Sequence, residues 1–417
     1  MREMKDSGIE WIGGIPKHWI VHPLYYYFGE RKNKNSLGHE TNLLSLSYGK
    51  IIRKDINSNG GLLPESFNTY NIIEKDDIII RPTDLQNDKR SLRTGISNEH
   101  GIITSAYVAM KAIKPLNSAY FHYLLHTYDI MKVFYNMGNG VRQGLNFSEF
   151  SRLIVFEPPI EEQNKMVSFL KSKCSEIDGL ISDIQKQITT LEEYKRSVIT
   201  ESVTKGLNPD AEMKDSGVEW IGEIPKSWTL KKVKYACNSR NEKYNITRGK
   251  LDYFALENIV SWDSKYIKTE NEYELEGTNL CYKGDVVFGK LRPYLAKTFL
   301  VDYDRCCSTE FAIFCNFEGL PNYYLYVFTE QGFVLAVNNS TAGVKMPRAN
   351  IDFIKNLFIA VPPISEQLLI IEYLNKKCTK IDSIISEKKK QIETIEEYKK
   401  SLIFEYVTGK KEVYVNE

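Results

Sequence analysis

Five short stretches carry residue types that could do chemistry, and none forms a complete catalytic constellation. GDVVFGKL, from Gly284 to Leu291, satisfies the G-x-x-x-x-G-K spacing of a phosphate loop. Leu291 stands where such a loop needs a hydroxyl for magnesium, and DVVF reads as a strand instead of a glycine-rich turn. EPPI at Glu157 and VPPI at Val361 contain the Pro-Pro of an amino-methyltransferase box. They offer neither an Asn or Asp to accept from a target amino group nor an aromatic to stack a flipped base. TSAYV at Thr104 and CSTEF at Cys307 contain serine, but no histidine lies beyond His126 to act as base for the second. The seven cysteines have no CxxC spacing and the six histidines all lie between His18 and His126, which argues against a Cys/His zinc site and for reduced thiols. No catalytic residue, metal ligand or cofactor site is expected, and the chain reads as a non-enzyme.

Recognition chemistry is better supplied. Basic, amide and aromatic residues interleave in YGKIIRKDI from Tyr48, NDKRSLRTG from Asn87, YNITRGK from Tyr244 and GKLRPYLAK from Gly289. Arg and Lys can fork to guanine or hold phosphate, and Asn or Gln can pair adenine. The candidate DNA contacts are Arg53, Lys54, Lys89, Arg90, Arg93, Arg142 and Gln143, and then Lys243, Arg248, Lys290, Arg292, Lys297, Lys345 and Arg348. For each of them the alternative is a solvated surface charge, and Arg81 and Arg292, each directly before a proline, have a structural alternative too. Aromatic clusters such as LYYYF at Leu24 and YYLYVF at Tyr323 read as packing faces.

The elements that position these residues are written twice. MKDSGIEWIGGIPKHW at residues 4–19 returns as MKDSGVEWIGEIPKSW at 213–228, identical at 13 of 16 positions. Segments 158–206 and 362–410 align without gaps and agree at 25 of 49 positions. The chain is therefore a tandem duplication. Both segments read as one long helix begun by Pro-Pro. In the first, Leu170, Cys174, Ile177, Ile181, Ile184, Ile188, Leu191, Tyr194 and Val198 step by three and four, with a slip to two threes near Tyr194. In the second, Leu374, Cys378, Ile381, Ile385, Ile392, Ile395, Tyr398 and Leu402 match them, and only Lys388 interrupts. Such seams predict an antiparallel coiled coil about 60 Å long; a coiled coil that dimerises whole chains is the alternative. The bodies between them, 20–157 and 229–361, diverge apart from echoes: EKDDIIIRP with YKGDVVFGKLRP, and GNGVRQ with TAGVKMPR. Short β-rich runs bounded by Gly, Pro and Asp predict mixed α/β bodies.

The 417 residues carry 55 Lys plus Arg against 54 Asp plus Glu, so no large basic field advertises nucleic acid. The bodies hold basic excesses of only three and two. No apolar run approaches a membrane span, and a cytoplasmic location without membrane contact is expected.

The doubled SGxEWIGxIPxxW phrase, the PPIxEQ helix start and the EEYKxS helix end resemble the specificity subunit of type I restriction and modification enzymes, along the whole chain. The resemblance implies an α+β chain of two pseudo-twofold-related target recognition domains separated by two long antiparallel helices. The expected division is 1–157 and 207–361 for recognition, 158–206 and 362–410 for spacer helices, and 411–417 for the tail. It implies a non-catalytic subunit whose halves each read part of a bipartite double-stranded DNA site, with the helices setting the unspecified spacer. It also implies two methylation subunits, which bring S-adenosylmethionine, and restriction subunits, which bring ATP- and magnesium-dependent activity. Trp11, Trp19, Trp220 and Trp228 would serve partner docking, with packing on their own domain as the equal alternative.

Overall fold

The computed structural model describes residues 2–57, 64, 66–83, 92–134, 137, 144–245, 251–269, 275–341 and 346–413. Two compact units divide the chain: Met1–Ile184 with Lys390–Glu417, and Gln185–Lys389.

In chain order the first body runs β1 (Met4–Asp6), β2 (Gly14–Pro16), β3 (Ile20–Pro23), β4 (Phe28–Glu30), β5 (Leu44–Ser47), β6 (Lys50–Arg53), β7 (Asn71–Ile73), β8 (Ile78–Ile80), β9 (Thr94–Ile96), β10 (Gly101–Ile103), β11 (Val108–Ala112), α1 (Ser118–Ile130), α2 (Phe147–Phe150) and β12 (Ile154–Glu157). The first long helix, α3, spans Ile160–Thr204. The second body runs β13 (Met213–Asp215), β14 (Glu223–Pro225), β15 (Thr229–Lys232), α4 (Val233–Ala236), β16 (Asn238–Arg240), β17 (Tyr253–Phe254), β18 (Asn279–Cys281), β19 (Val286–Gly289), β20 (Thr298–Leu300), β21 (Arg305–Cys307), β22 (Phe311–Cys315), α5 (Pro321–Thr329), α6 (Gln331–Asn339), α7 (Ile351–Asn356) and β23 (Phe358–Val361). The second long helix, α8, spans Ile364–Val407.

Both bodies are built on the same four-stranded antiparallel sheet, ordered β4-β11-β8-β9 in the first and β16-β22-β19-β20 in the second. The echoes EKDDIIIRP and YKGDVVFGKLRP thus mark one structural position. All residues of β8 and β19 are buried, as β-branched and aromatic runs between two layers should be. Asp77 and Asp285 precede these strands. Each accepts from an arginine at the end of the edge strand β4 or β16, Arg31 Nη2 at 3.0 Å and Arg240 Nε at 2.8 Å, and from a turn amide, Glu74 N or Tyr282 N.

The PPIxEQ start has an equally concrete role. Gln163 and Gln367 are buried, and each bonds in two directions. Their amides donate to the Pro158 and Pro362 carbonyls, and their oxygens accept from Asn117 N and Leu320 N. Gly319, at φ +116°, lies so close to the Gln367 amide that a Cβ there would stand 2.3 Å from its oxygen.

The core of each unit takes the start of one long helix and the end of the other. Met166, Leu170, Cys174 and Ile177 join Leu402, Ile403, Tyr406 and Val407 under the first sheet. Ile370, Leu374 and Cys378 join Val198, Ile199 and Val203 under the second. Buried tyrosines bind the helix ends: Tyr120 Oη donates to the Val407 carbonyl, and Tyr323 Oη to that of Val203.

The two helices pack antiparallel, and the seam differs from the expected one in a single respect. Tyr194 and Tyr398 are exposed, at 49% and 59%. The true step from Leu191 is four, to Lys195, and from Ile395 four, to Lys399. The heptad is unbroken, with lysines on it, so there is no slip. Each seam lysine finds a polar partner. Lys195 Nζ lies 2.7 Å from both Asp382 and Asp263, Lys399 Nζ is 2.6 Å from Asp178, and Lys388 Nζ donates to Gln187 Oε1. Among the described residues no helix is long and apolar enough to cross a membrane.

Candidate nucleic-acid interface

In each body an Arg-Pro pair follows a central strand, directly after β8 in the first and after two intervening residues beyond β19 in the second, where a distant segment returns. In the first, Leu145 N donates to Pro82 O at 2.9 Å and Arg81 N to Arg93 O at 2.9 Å. In the second, Arg292 N donates to Pro347 O at 2.8 Å and Leu291 bridges Arg348. These contacts bring the flanks of GNGVRQ and TAGVKMPR to the same corner of the two sheets. Lys89, Arg90, Arg142, Gln143, Arg248 and Lys345 lie outside the described residues.

The second corner is the more completely described. Lys290 N donates to Glu310 O, Ala349 N donates to Lys290 O, and the Arg348 guanidinium donates to Glu310 Oε1. Lys290 is half-buried, and desolvation lowers its ammonium pKa; the charges of Glu310, Arg348 and Lys243 also reach it. Lys243 Nζ donates to Asn279 Oδ1 at 2.7 Å. Arg292 sits in the left-handed region at φ 51°, with an exposed side chain that has no partner among the described residues. Lys297 Nζ is committed to the Leu256 carbonyl at 2.7 Å. Arg348 and Lys290 therefore stand beside one carboxylate, and Glu310 Oε2 is buried without a partner among the described residues. The sequence reading missed Glu310, because CSTEF was weighed for its serine alone.

In the first body Arg53 is exposed but held by Glu99, its Nε 2.7 Å from Oε2, and that bond lowers the carboxyl pKa of Glu99. Lys54 is exposed beside it. Arg93 corrects an expectation: it is fully buried, its guanidinium donates to the Thr83 carbonyl, and its amide donates to Asp129. A side chain so enclosed holds the corner from within and has no face to offer DNA.

The tryptophans divide in the same way. Trp19 and Trp228 are fully buried. Their indole nitrogens donate to Glu162 and Glu366, the acids of PPIxEQ, so packing on their own domain is their structural role. Trp11 and Trp220 are half-buried, against Tyr128 and Phe404 in one unit and Phe333 in the other. Among the described residues no three His, Cys, Asp or Glu side chains gather in a metal-binding group.

Residues 213–394 match the type I restriction modification DNA specificity domain. The type I restriction enzyme MjaVIII specificity subunit of Methanocaldococcus jannaschii is 24% identical over 327 residues, 74% of each chain. The putative MjaX specificity subunit of the same organism is 25% identical over 312 residues, 70% of this chain and 67% of that one. A solved chain from a study of complex assembly and conformational transition of the type I R-M system has the same fold, with TM-score 0.68 and 13% identity over 95% of this chain and 99% of that one. Residues 213–394 thus match the type I restriction modification DNA specificity domain, and the chain as a whole is similar in sequence and fold to the specificity subunits of type I restriction enzymes.

Proposed function

We propose that the chain is the DNA sequence-recognition subunit of a type I restriction-modification complex. Residues 1–157 and 207–361 each read one part of a bipartite double-stranded site, and helices 158–206 and 362–410 fix the non-specific spacer. Two methylation subunits and the restriction subunits dock on it and supply S-adenosylmethionine, ATP and magnesium, so that adenine methylation or cleavage follows the sequence read here. Its place is the cytoplasm.

The observation that carries this reading is the repeated sheet corner. The same Arg-Pro end and returning basic segment recur in two bodies whose other residues differ, as two readers of different half-sites would require. Basic side chains there can hold phosphate, while Glu310 has the chemistry to accept from a cytosine or adenine amino group. Two readers on a stiff spacer suit half-sites about one helical turn, roughly 34 Å, apart.

The test is single-molecule sequencing of DNA from cells that express this chain with its methylation partner. A split methylated motif is expected. Lengthening both helices by one turn, about 5.4 Å, should widen the unspecified gap by one or two base pairs. A gap that stays the same, or methylation that does not depend on this chain, refutes the reading.

A further inference from the structure

The lead phrase and the helix start enclose a cleft in each unit, and the two copies differ. The first is lined by Arg2, Glu162, Lys165, Met166 and the tail Lys411–Val413, and has a volume of about 60 Å³. The second has Ala211, Glu366, Leu369, Ile370, Leu207 and Asn208 at matching positions, and a volume of about 290 Å³.

The larger volume comes from a lost internal ligand. In the first unit Glu162 is saturated by Arg2 Nη2 at 2.7 Å, His18 Nε2 at 2.7 Å and Trp19 Nε1 at 3.1 Å. Arg2 also approaches Glu412, at 3.8 Å. In the second unit the indole bond survives, with Trp228 Nε1 2.7 Å from Glu366 Oε2. Ala211 stands in place of Arg2 and Ser227 in place of His18, and among the described residues Glu366 has no second partner. Two basic rim residues have become apolar, with Leu369 for Lys165 and Leu207 for Lys411, while Lys205 joins the lining where the first copy has Gly409.

We propose that this cleft receives the side chain of an arginine presented by another protein. The guanidinium takes the place on Glu366 that Arg2 holds on Glu162, and the aliphatic stem lies against Leu207, Leu369 and Ile370. A planar fork suits a carboxylate that another donor already orients, and the apolar wall suits a long stem better than a compact ammonium. The volume is at the small end for ligand pockets, roughly 300–1,000 Å³, and fits one side chain rather than a cofactor.

The test uses the full chain, titrated with acetyl-Gly-Arg-Gly-amide and followed by calorimetry or amide chemical shifts. The citrulline peptide and free arginine are the comparison probes. Glu366→Gln keeps an acceptor for Trp228 while removing the charge, and Ala211→Arg supplies the guanidinium internally. The arginine peptide should bind saturably, and at least tenfold more weakly to both variants, with unfolding midpoints showing that the variants fold; the citrulline peptide should bind at least tenfold more weakly too. No saturable binding, equal binding by the variants, or binding of free arginine but not the peptide would overturn the proposal.

Discussion

Acidification should loosen the first unit through two histidines on α1. His122 Nε2 and His126 Nδ1 are buried without hydrogen-bond partners, with the rings 6.1 Å apart. Burial pushes the pKa of His122 down to about 4, opposed by a bond to the Thr94 backbone that favours the charged ring. Burial pushes His126 down to about 3, aided by His122, Lys399, Lys132 and Lys400. A histidine whose folded pKa lies below its unfolded value of about 6.5 contributes its full stability above pH 6.5 and loses it as pH falls toward the folded value. Between pH 7.5 and 5.0 each ring then costs about 2 kcal/mol, and the pair at most about 4 kcal/mol, a large part of an ordinary domain's stability. The assay is urea unfolding of the wild-type chain and the His122→Gln/His126→Gln variant at both pH values. The wild type should lose several kcal/mol more than the variant over this interval. Equal losses would show that the rings are hydrated or paired when folded, and would refute the reasoning.

Three further outcomes follow from particular contacts. Lys195 is 12% exposed and faces two carboxylates, so Lys195→Met should cost about 2–4 kcal/mol in urea unfolding; Lys399→Met, at a more exposed pair, should cost under about 1 kcal/mol, and equal costs would contradict the difference in burial. Arg93→Met should destabilise the first unit by about 2–4 kcal/mol and leave the methylated sequence unaltered, since its donors serve buried acceptors; a changed motif by sequencing would count against this. Lys290→Ala and Arg348→Ala should each reduce by about one the slope of log affinity against log salt for duplex DNA, measured by anisotropy, whereas an unchanged slope would remove the residue from the phosphate contacts.

The parts of this architecture that repeat were the parts legible in the sequence. Pro-Pro, EEYKxS and the heptads define helices because local rules and burial agree there, and the Ile78–Ile80 and Val286–Gly289 echoes fall on equivalent strands. Of the seam lysines, Lys388 was legible, while Lys195 and Lys399 were missed because an apolar template passes over a charge and takes the nearest aromatic, Tyr194 or Tyr398. The repeated Asp178 and Asp382 were the available signal, since they are the acids those lysines meet. Arg93 and the buried tryptophans were ambiguous for a different reason. Whether a charged or amphipathic residue faces inward depends on a distant partner, such as Thr83 or Glu162, that no local pattern names.

The division of the core has a consequence for the order in which the protein can form. The second unit is one uninterrupted stretch, Gln185–Lys389, whereas the first closes only with Lys390–Glu417. Tyr120 waits for the Val407 carbonyl, 287 residues later. On the ribosome the body made first is therefore the last to be completed, and it stays open while everything after it is synthesised. A nascent chain released before residue 390 would carry a finished second unit and a first one with part of its apolar floor missing, the species on which chaperones and proteases would act.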